Sequence, residues 1–385
     1  MRVAVSKGSL LIPPTYFAVA HARMLRATHQ VRIFTGAAEI TDPAALDGVE
    51  LDETLPASLP FARRLAVRQR ERIAALLWPV TARRIARWAP DVIHQHFAYG
   101  ARAALSAARR TKRPLIVTMH GGDAFVPLTP PAERGLRARP ALLAMRREIR
   151  SVYRRADLIL AVSEYIAGIA VQGGADPARI RVHYQGIDTE AFTPPPASDA
   201  QPVVRRLLFV GRMVDTKGVL DLLTASSALV ADHPHELVYV GDGPARAAVE
   251  RTADDMPHVK VLGARTTTEV RDLLRSAHAL VLPTRVNGRA REAAGLVLLE
   301  AQACGVPVIA YDSGGTSEMM RAGQTGWLAP EGDVAELTGR IAESLAQTRE
   351  SRDEMGRRAR TFVLDHRSLR SSARELAAIY QEAGR

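Results

Sequence analysis

RLLFVGRMVDTKG, residues Arg206–Gly218, reads as an apolar strand that stops at Gly211, then a loop that presents Arg212 and, five positions on, Lys217. A short apolar run closed by glycine is the signature of a strand buried on both faces. The same reading applies downstream to ELVYVG (236–241), VKVLG (259–263), ALVLP (279–283) and VPVIAY (306–311). Upstream it applies to MRVAVS (1–6), HQVRIFT (29–35), PDVIHQH (90–96), PLIVTMH (114–120), LILAVS (158–163) and RIRVHY (179–184). Helix-like stretches separate the strands, and such alternation predicts parallel, doubly wound α/β sheets. Between the two series lies FTPPPASDAQPVV (192–204), whose proline and polar content is that of a linker. The chain is therefore read as two Rossmann-like domains. Ligands of such sheets sit outside the carboxyl ends of the strands, where Arg212 and Lys217 are placed.

Two cations around one glycine suit a diphosphate, above all one that gathers charge as it leaves. REAAGLVLLEAQACGVPVIA, Arg291–Ala310, adds Glu292 and Glu300, eight positions apart. Gly295 separates them and the helix-forming run LVLLEAQA begins just after it, which predicts Glu292 on a loop and Glu300 in the first turns of a helix. The amide groups of Leu296 and Val297 at that helix start form an anion site. The order of these pieces points to a nucleotide-sugar site.

The stretch from Arg206 to Trp327 resembles the retaining glycosyltransferases of family four, which share the two-domain GT-B fold and a Glu-x7-Glu signature. The resemblance implies two Rossmann-like domains facing a central cleft, with Gly211, Arg212 and Lys217 at the diphosphate, Glu300 at the ribose and Glu292 at the sugar. It implies that Gly263 and Ala264, in VLGAR (261–265), meet the base, and that Gly295, Leu296 and Val297 complete the donor site. Asp242 in VYVGDGP is read as mainly structural, and Glu318 in SGGTSEM as a helix-start residue. In PLIVTMHGGD (114–123), His120 takes the family's place facing the donor sugar, with Asp123 beside it on the acceptor side. The resemblance continues through 155–194, and KGSLLIPPTYFAVAHARMLRATHQVRIFTG (7–36) looks like the strand, glycine loop and first helix of exopolysaccharide-type members, which puts Gly8 at the donor. His120, Arg212, Lys217 and Glu292 are the expected catalytic set.

Two departures from the family stand out. Glu292-Ala293-Ala294-Gly295 replaces the common Glu-Gly-Phe-Gly, removing an aromatic wall at the sugar, and Lys7-Gly8-Ser9 replaces a Gly-Gly pair, placing a side chain near the diphosphate approach. The expected domains are 1–190 for the acceptor, a linker at 191–204, 205–367 for the nucleotide-sugar, and a final helix from 368 to 385 crossing back to the first.

Length and composition agree: 385 residues suffice for about two domains, and 47% hydrophobic content is that of a globular chain. The single cysteine, Cys304, cannot form an intrachain disulfide and is read as packing in the helix after Glu300. No basic segment precedes an apolar one at the start, and no apolar run reaches the ~20 residues of a membrane span, so a cytoplasmic protein is expected.

A net charge of +11 invites an anionic partner. Arginines cluster in ARRLAVRQRERIAALLWPVTARRIARW (62–88), read as a helical stretch, and in MRREIRSVYRRAD (145–157), so peripheral contact with an anionic membrane is one expectation and a solvated helix face the other. Nucleic acid is set aside, because no motif accompanies the charge and aromatics are 5% of residues. No P-loop, zinc spacing, dinucleotide fingerprint or Asp-x-Asp motif is present, which leaves metal-free, cofactor-free diphosphate binding as the consistent chemistry. The expected activity is hexosyl transfer from a UDP- or GDP-sugar, with retention, to a hydroxyl in exopolysaccharide or lipid-linked glycan assembly. Glycosylation of a small natural product is the alternative, and a noncatalytic clamp for a nucleotide or a membrane surface is the reading from another class.

Overall fold

The apolar runs do become parallel strands, and β-branched and aliphatic side chains occupy both faces. In β5 (Leu115–Met119), for example, every residue is buried. The computed structural model describes residues 1–12, 16–130, 139–196, 205–286 and 291–385. Positions 197–204 of the expected linker and 13–15 of the expected first loop lie outside these described residues.

The chain divides into two compact units. Unit 1 is Met1–Gln185 with Ser372–Arg385, and unit 2 is Gly186–Ser371. Unit 1 holds a seven-stranded parallel sheet in the order β3-β2-β1-β4-β5-β6-β7. Its strands are β1 (Arg2–Ile12), β2 (Gln30–Ile40), β3 (Glu50–Glu53), β4 (Val92–His96), β5, β6 (Leu158–Ala161) and β7 (Ile180–Val182). Its helices are α1 (Tyr16–Leu25), α2 (Val67–Leu76), α3 (Trp78–Trp88), α4 (Arg102–Thr111), α5 (Gly122–Phe125), α6 (Arg139–Arg155) and α7 (Glu164–Gln172).

Unit 2 holds a six-stranded parallel sheet, β10-β9-β8-β11-β12-β13. The strands are β8 (Arg206–Val210), β9 (Glu236–Val240), β10 (Val259–Val261), β11 (Ala279–Leu282), β12 (Val308–Asp312) and β13 (Gly326–Pro330). Between and after them come α8 (Val219–Leu229), α9 (Arg246–Thr252), α10 (Thr267–Arg275), α11 (Leu296–Ala303), α12 (Val334–Ala346) and α13 (Arg349–His366). The last helix, α14 (Leu369–Ala383), begins in unit 2 and places Leu376, Ile379 and Tyr380 in the core of unit 1 beside Val3 and Val5.

In each sheet the strand order reverses once, between β1 and β4 and between β8 and β11, and these reversals are where a doubly wound sheet opens a crevice for ligands. Three expectations are corrected. Lys7, Gly8 and Ser9 are not on a loop: β1 runs unbroken to Ile12, with Lys7 opposite Thr35 and Ser9 opposite Ala37 of β2. The arginine-rich stretch 62–88 is not one helix, because the chain turns at Leu77 ahead of Pro79, separating α2 from α3. Unit 1 ends at Gln185 rather than 190, and Ile187 of unit 2 instead bridges to Ser368, where the chain returns.

Candidate functional site

In unit 2 the carboxyl ends of β8 and β11 are brought together by a glycine. Gly218 adopts φ +62°, and a Cβ there would lie 2.0 Å from the carbonyl oxygen of Pro283, so only glycine lets the two loops touch. That contact delivers Lys217 to the loop after β11, where its ammonium donates to Glu292 Oε2. The Thr284 hydroxyl donates to the same oxygen at 2.9 Å. Behind this loop the Gly314-Gly315 turn closes in: the Gly315 amide donates to the Glu292 carbonyl at 2.9 Å, and a Cβ at Gly314 would come within 2.1 Å of that carbonyl. Burial pushes the Glu292 carboxyl up, but the charge and hydrogen bond of Lys217, with Thr284, outweigh it and hold the group below its ordinary range. Lys217 is thus already neutralised by Glu292, which sequence reasoning did not foresee.

Arg212 follows Gly211 directly and is exposed, with no side-chain hydrogen bond or ion pair among the described residues. Arg212 is therefore the cation of this loop whose side chain has no partner among the described residues. Gly295, at φ +74°, ends the Glu292 loop and begins α11 without a side-chain cap, leaving the Leu296 and Val297 amides at an open helix start. Glu300 sits in the second turn of α11; its carboxyl has no partner among the described residues, and burial pushes it up to about 7. Cys304 ends α11 and is buried.

The neighbouring loops are laced by backbone. The Gly211 amide donates to Val240 O at 3.0 Å, Met213 N to Asp242 O at 2.9 Å and Gly241 N to Gly263 O at 2.9 Å. Asp242 folds onto its own turn, accepting from Gly243 N at 2.7 Å, while Ala264 is exposed beyond Gly263. Glu318 lies in a single 3₁₀ turn, Ser317–Met319. A further network escaped the sequence reading: Arg285 donates to Asp221 at 3.0 Å and Tyr311 to the same carboxylate at 3.3 Å, tying the β11 loop to α8.

In unit 1, His120 follows β5 and is held on every side. The Gln185 amide donates to Nδ1 at 2.9 Å, which leaves the proton on Nε2, 3.0 Å from His96 Nδ1. Phe17 stacks on the ring with centroids 4.2 Å apart. Burial first, then the neighbouring His94, Lys7 and His21, push its pKa well below the ordinary value, so the ring is neutral. Asp123 is 0% exposed, and its two oxygens accept from Ala98 N at 2.8 Å and from His120 N and Gly121 N at 3.0 Å each. It is the anchor of the His120 loop and not a ligand-facing group, which corrects its placement on the acceptor side; a bulky strand end followed by Gly-Gly-Asp is as much a turn signal as a site signal. Gly8 lies within β1, where a Cβ would meet only the Gly100 backbone, 3.9 Å away.

The cavity at the β1/β4 reversal has a volume of about 730 Å³ and a lining dominated by carbon. Lys7 is among its lining residues, donating to Ser9 O and sitting 5.3 Å over the Phe97 ring; burial brings its pKa down to about 8 against the opposing charge of Glu71. Among the described residues, no group of three or more His, Cys, Asp or Glu is arranged to hold a metal ion, and no helix is long and apolar enough to cross a membrane.

Comparison with known proteins agrees with this architecture. Residues 15–191 match the Glycosyltransferase Family 4 model and residues 204–347 the Glycosyl transferases group 1 model. A D-inositol 3-phosphate glycosyltransferase of Gordonia bronchialis is 31% identical over 301 residues, 72% of this chain and 63% of that protein. WcaL of Salmonella typhimurium, a glycosyltransferase named for colanic acid biosynthesis, is 28% identical over 61% of this chain and 59% of its own length. The chain thus spans less than two thirds of either relative. The crystal structure of HepE from Anabaena in complex with UDP superposes with a TM-score of 0.75 at 17% identity, covering 99% of this chain and all of that one, so the two units have the GT-B fold. With both units matched and the fold shared, the chain belongs to the family-four glycosyltransferases.

Proposed function

We propose that the chain transfers a hexosyl group from a nucleotide-sugar to an acceptor hydroxyl, with retention of configuration, in exopolysaccharide or lipid-linked glycan assembly. The observation that carries this reading is the placement, after the strands at the β8/β11 reversal, of the Lys217–Glu292 pair, an open α11 start, and Arg212 and Glu300, whose side chains have no partner among the described residues. In this reading Arg212, Lys217 and the Leu296 and Val297 amides stabilise the departing diphosphate. The ribose hydroxyls donate to Glu300, the sugar hydroxyls meet Glu292, and Gly263 and Ala264 flank the base. The acceptor oxygen bonds to the anomeric carbon as the bond to the diphosphate oxygen breaks on the same face, and that oxygen takes the acceptor's proton. Neither a metal ion nor a cofactor enters the proposal; the nucleotide-sugar is a substrate. His120, neutral and with Nδ1 held by Gln185, serves on the unit 1 side by turning its Nε2 proton from His96 to a sugar hydroxyl. WcaL supports the exopolysaccharide context and the UDP bound to HepE the nucleotide class. The expected location is the cytoplasm, including its membrane face.

The test is thermal-shift screening against UDP, GDP, ADP and TDP and their common sugars, repeated for Arg212→Ala/Lys217→Ala. Stabilisation by one nucleotide, abolished in the double variant, is expected, followed by slow donor hydrolysis. No shift with any nucleotide would sink the donor assignment, and a glycosyl adduct trapped on Glu292 would sink the mechanism.

A further inference from the structure

Glu331 is a carboxylate that the transfer chemistry does not use, yet it is bound to two points of the chain that leads into Glu292. Its Oε1 accepts from the Val286 amide at 2.7 Å and its Oε2 from the Arg291 guanidinium at 3.0 Å. Arg291 directly precedes Glu292. One carboxylate thus gathers, with two charge-assisted hydrogen bonds, residues that lie 45 and 40 positions upstream of it.

Glu331 is itself closely held. It follows Pro330, the last residue of β13, which pairs with Asp312 of β12. Gly332, at φ +80°, turns the chain after it, and the Asp333 amide donates back to Pro330 O at 3.1 Å. The Asp333 side chain then accepts from Glu336 N at 2.9 Å and caps α12. With a strand end before it and a turn and a helix cap after it, Glu331 is the fixed partner and the Glu292 loop the restrained one.

The start of that loop is tied to unit 2 by other bonds. The Arg285 amide donates to Thr216 O at 2.8 Å and its guanidinium to Asp221 at 3.0 Å, beside Lys217 and Thr284, the two donors to Glu292 Oε2. These bonds place the donors. The acceptor, Glu292, is approached from its own neighbours: Arg291, on Glu331, and the Gly315 amide, which donates to the Glu292 carbonyl at 2.9 Å. The side chains of Arg291 and Glu331 are 40% and 17% exposed, and an ion pair so open to solvent adds little to stability. Its consequence is geometric, because supporting contacts of this kind decide whether a site group stays within about 0.5 Å of its working position.

We infer that Glu331 is a positioning residue of the donor site: through Val286 and Arg291 it holds the Glu292 loop so that the Glu292 carboxylate meets Lys217 and Thr284. This rests on the transferase reading above and adds to it a residue that touches neither donor nor acceptor.

The test compares Glu331→Ala, Arg291→Ala and the double variant with the unaltered chain. Hydrolysis of UDP-glucose and GDP-mannose is followed first. The kcat is expected to fall about tenfold in each single variant and no further in the double, since the two residues act as one unit, while KM and the affinity for UDP or GDP stay within about twofold. Support of the fold alone would instead lower the melting temperature and nucleotide affinity together, and would overturn the inference. Two further readings need no donor. A ¹³C carboxyl titration of the double variant should show Glu292 moving up towards the ordinary carboxylate range, because a loosened loop meets Lys217 less closely, and the Val286 amide should exchange about tenfold faster in Glu331→Ala. Losses that add in the double variant, or an unshifted Glu292, would also overturn the inference. If neither nucleotide-sugar is bound or hydrolysed, the donor reading falls, and the Glu292 titration alone decides whether Glu331 places that carboxylate.

Discussion

Glu292 and Glu300 stand eight positions apart, yet their surroundings drive them in opposite directions, and this makes them separable by pH. Glu300 is raised to about 7 by burial with no partner among the described residues, so the folded state holds its proton more tightly than the unfolded chain does. The stability this brings is complete below the ordinary carboxylate range and is lost as pH rises towards 7 and past it. Glu300→Gln is therefore expected to raise stability at pH 8 by about 1–3 kcal/mol, the lower end reflecting solvent that still reaches the group, and to change little at pH 5. Unfolding by urea at the two pH values measures this. A ribose held by the ionised form also predicts UDP affinity that tightens from pH 6 to pH 8 in the unaltered chain and stays flat in Glu300→Gln. Glu292 is held low by Lys217, so its contribution is present above the ordinary range and lost as pH falls below it. Lys217→Ala leaves that carboxyl buried without its cation and should cut the transfer rate at least 100-fold, about 2.7 kcal/mol, while a ¹³C carboxyl titration shows Glu292 moving up. An unshifted Glu292 would show that the ion pair does not set its charge.

At the scale of the element, α11 depends on Gly295. Its left-handed φ of +74° turns the Glu292 loop into the helix, and a Cβ there would press at 3.3 Å on Leu282 and Leu298. Gly295→Ala should cost about 1–2 kcal/mol and weaken UDP binding beyond that, because the Leu296 and Val297 amides shift with the turn; a thermal melt with and without UDP separates the two effects. This turn was legible in the sequence because glycine before a helix-forming run has one structural meaning. The partner of Lys217 was not, since a salt bridge across 75 positions leaves no local pattern. The edge strands β3, ELDE, and β13, GWLAP, were also missed: the first is acidic and only half-buried, and the second begins at a glycine. Gly8 was misread for a related reason. Glycine usually marks a loop, but here it sits in the long β1, where Gly36 of the next strand passes so close that a Cβ on Gly36 would lie 2.7 Å from Gly8 O. Asp123 carried a family expectation that its burial removes.

Across the whole chain, unit 1 is built on histidines that must stay neutral. His21 and His94 are held down to about 3, by burial and then by neighbouring histidines, and His96, His120 and His183 are lowered mainly by burial. Three of them hold the carboxyl-terminal segment: His21 Nε2 meets Ser372 Oγ at 2.9 Å, His183 Nε2 donates to Ser372 O at 2.9 Å, and His94 Nδ1 meets the Tyr380 hydroxyl at 2.5 Å. No single histidine in the sequence announces this, because they come from four separate segments that only the sheet order and the returning α14 unite. Each group is lowered on folding, so its stability is present above the ordinary histidine range and is lost as pH falls below 6.5, by up to about 1.4 kcal/mol per histidine for each pH unit. Charged neighbours hardly change the sign: Lys7 opposes protonation of His96 and His120, and Glu375 favours it only at His183. Unit 2 has three lowered histidines, His235, His258 and His278, of which His278 alone reaches about 4. Hydrogen exchange followed from pH 7 to pH 4.5 should therefore show amides of β1, β4 and α14 losing protection before those of β8 and β11. Tyr380→Phe, which removes one hydroxyl from the cluster and leaves the ring in the core, should bring that loss to higher pH by a few tenths of a unit without moving the β8 amides. Simultaneous loss in both units, or β8 opening first, would mean that carboxylates and not this histidine core set the acid limit.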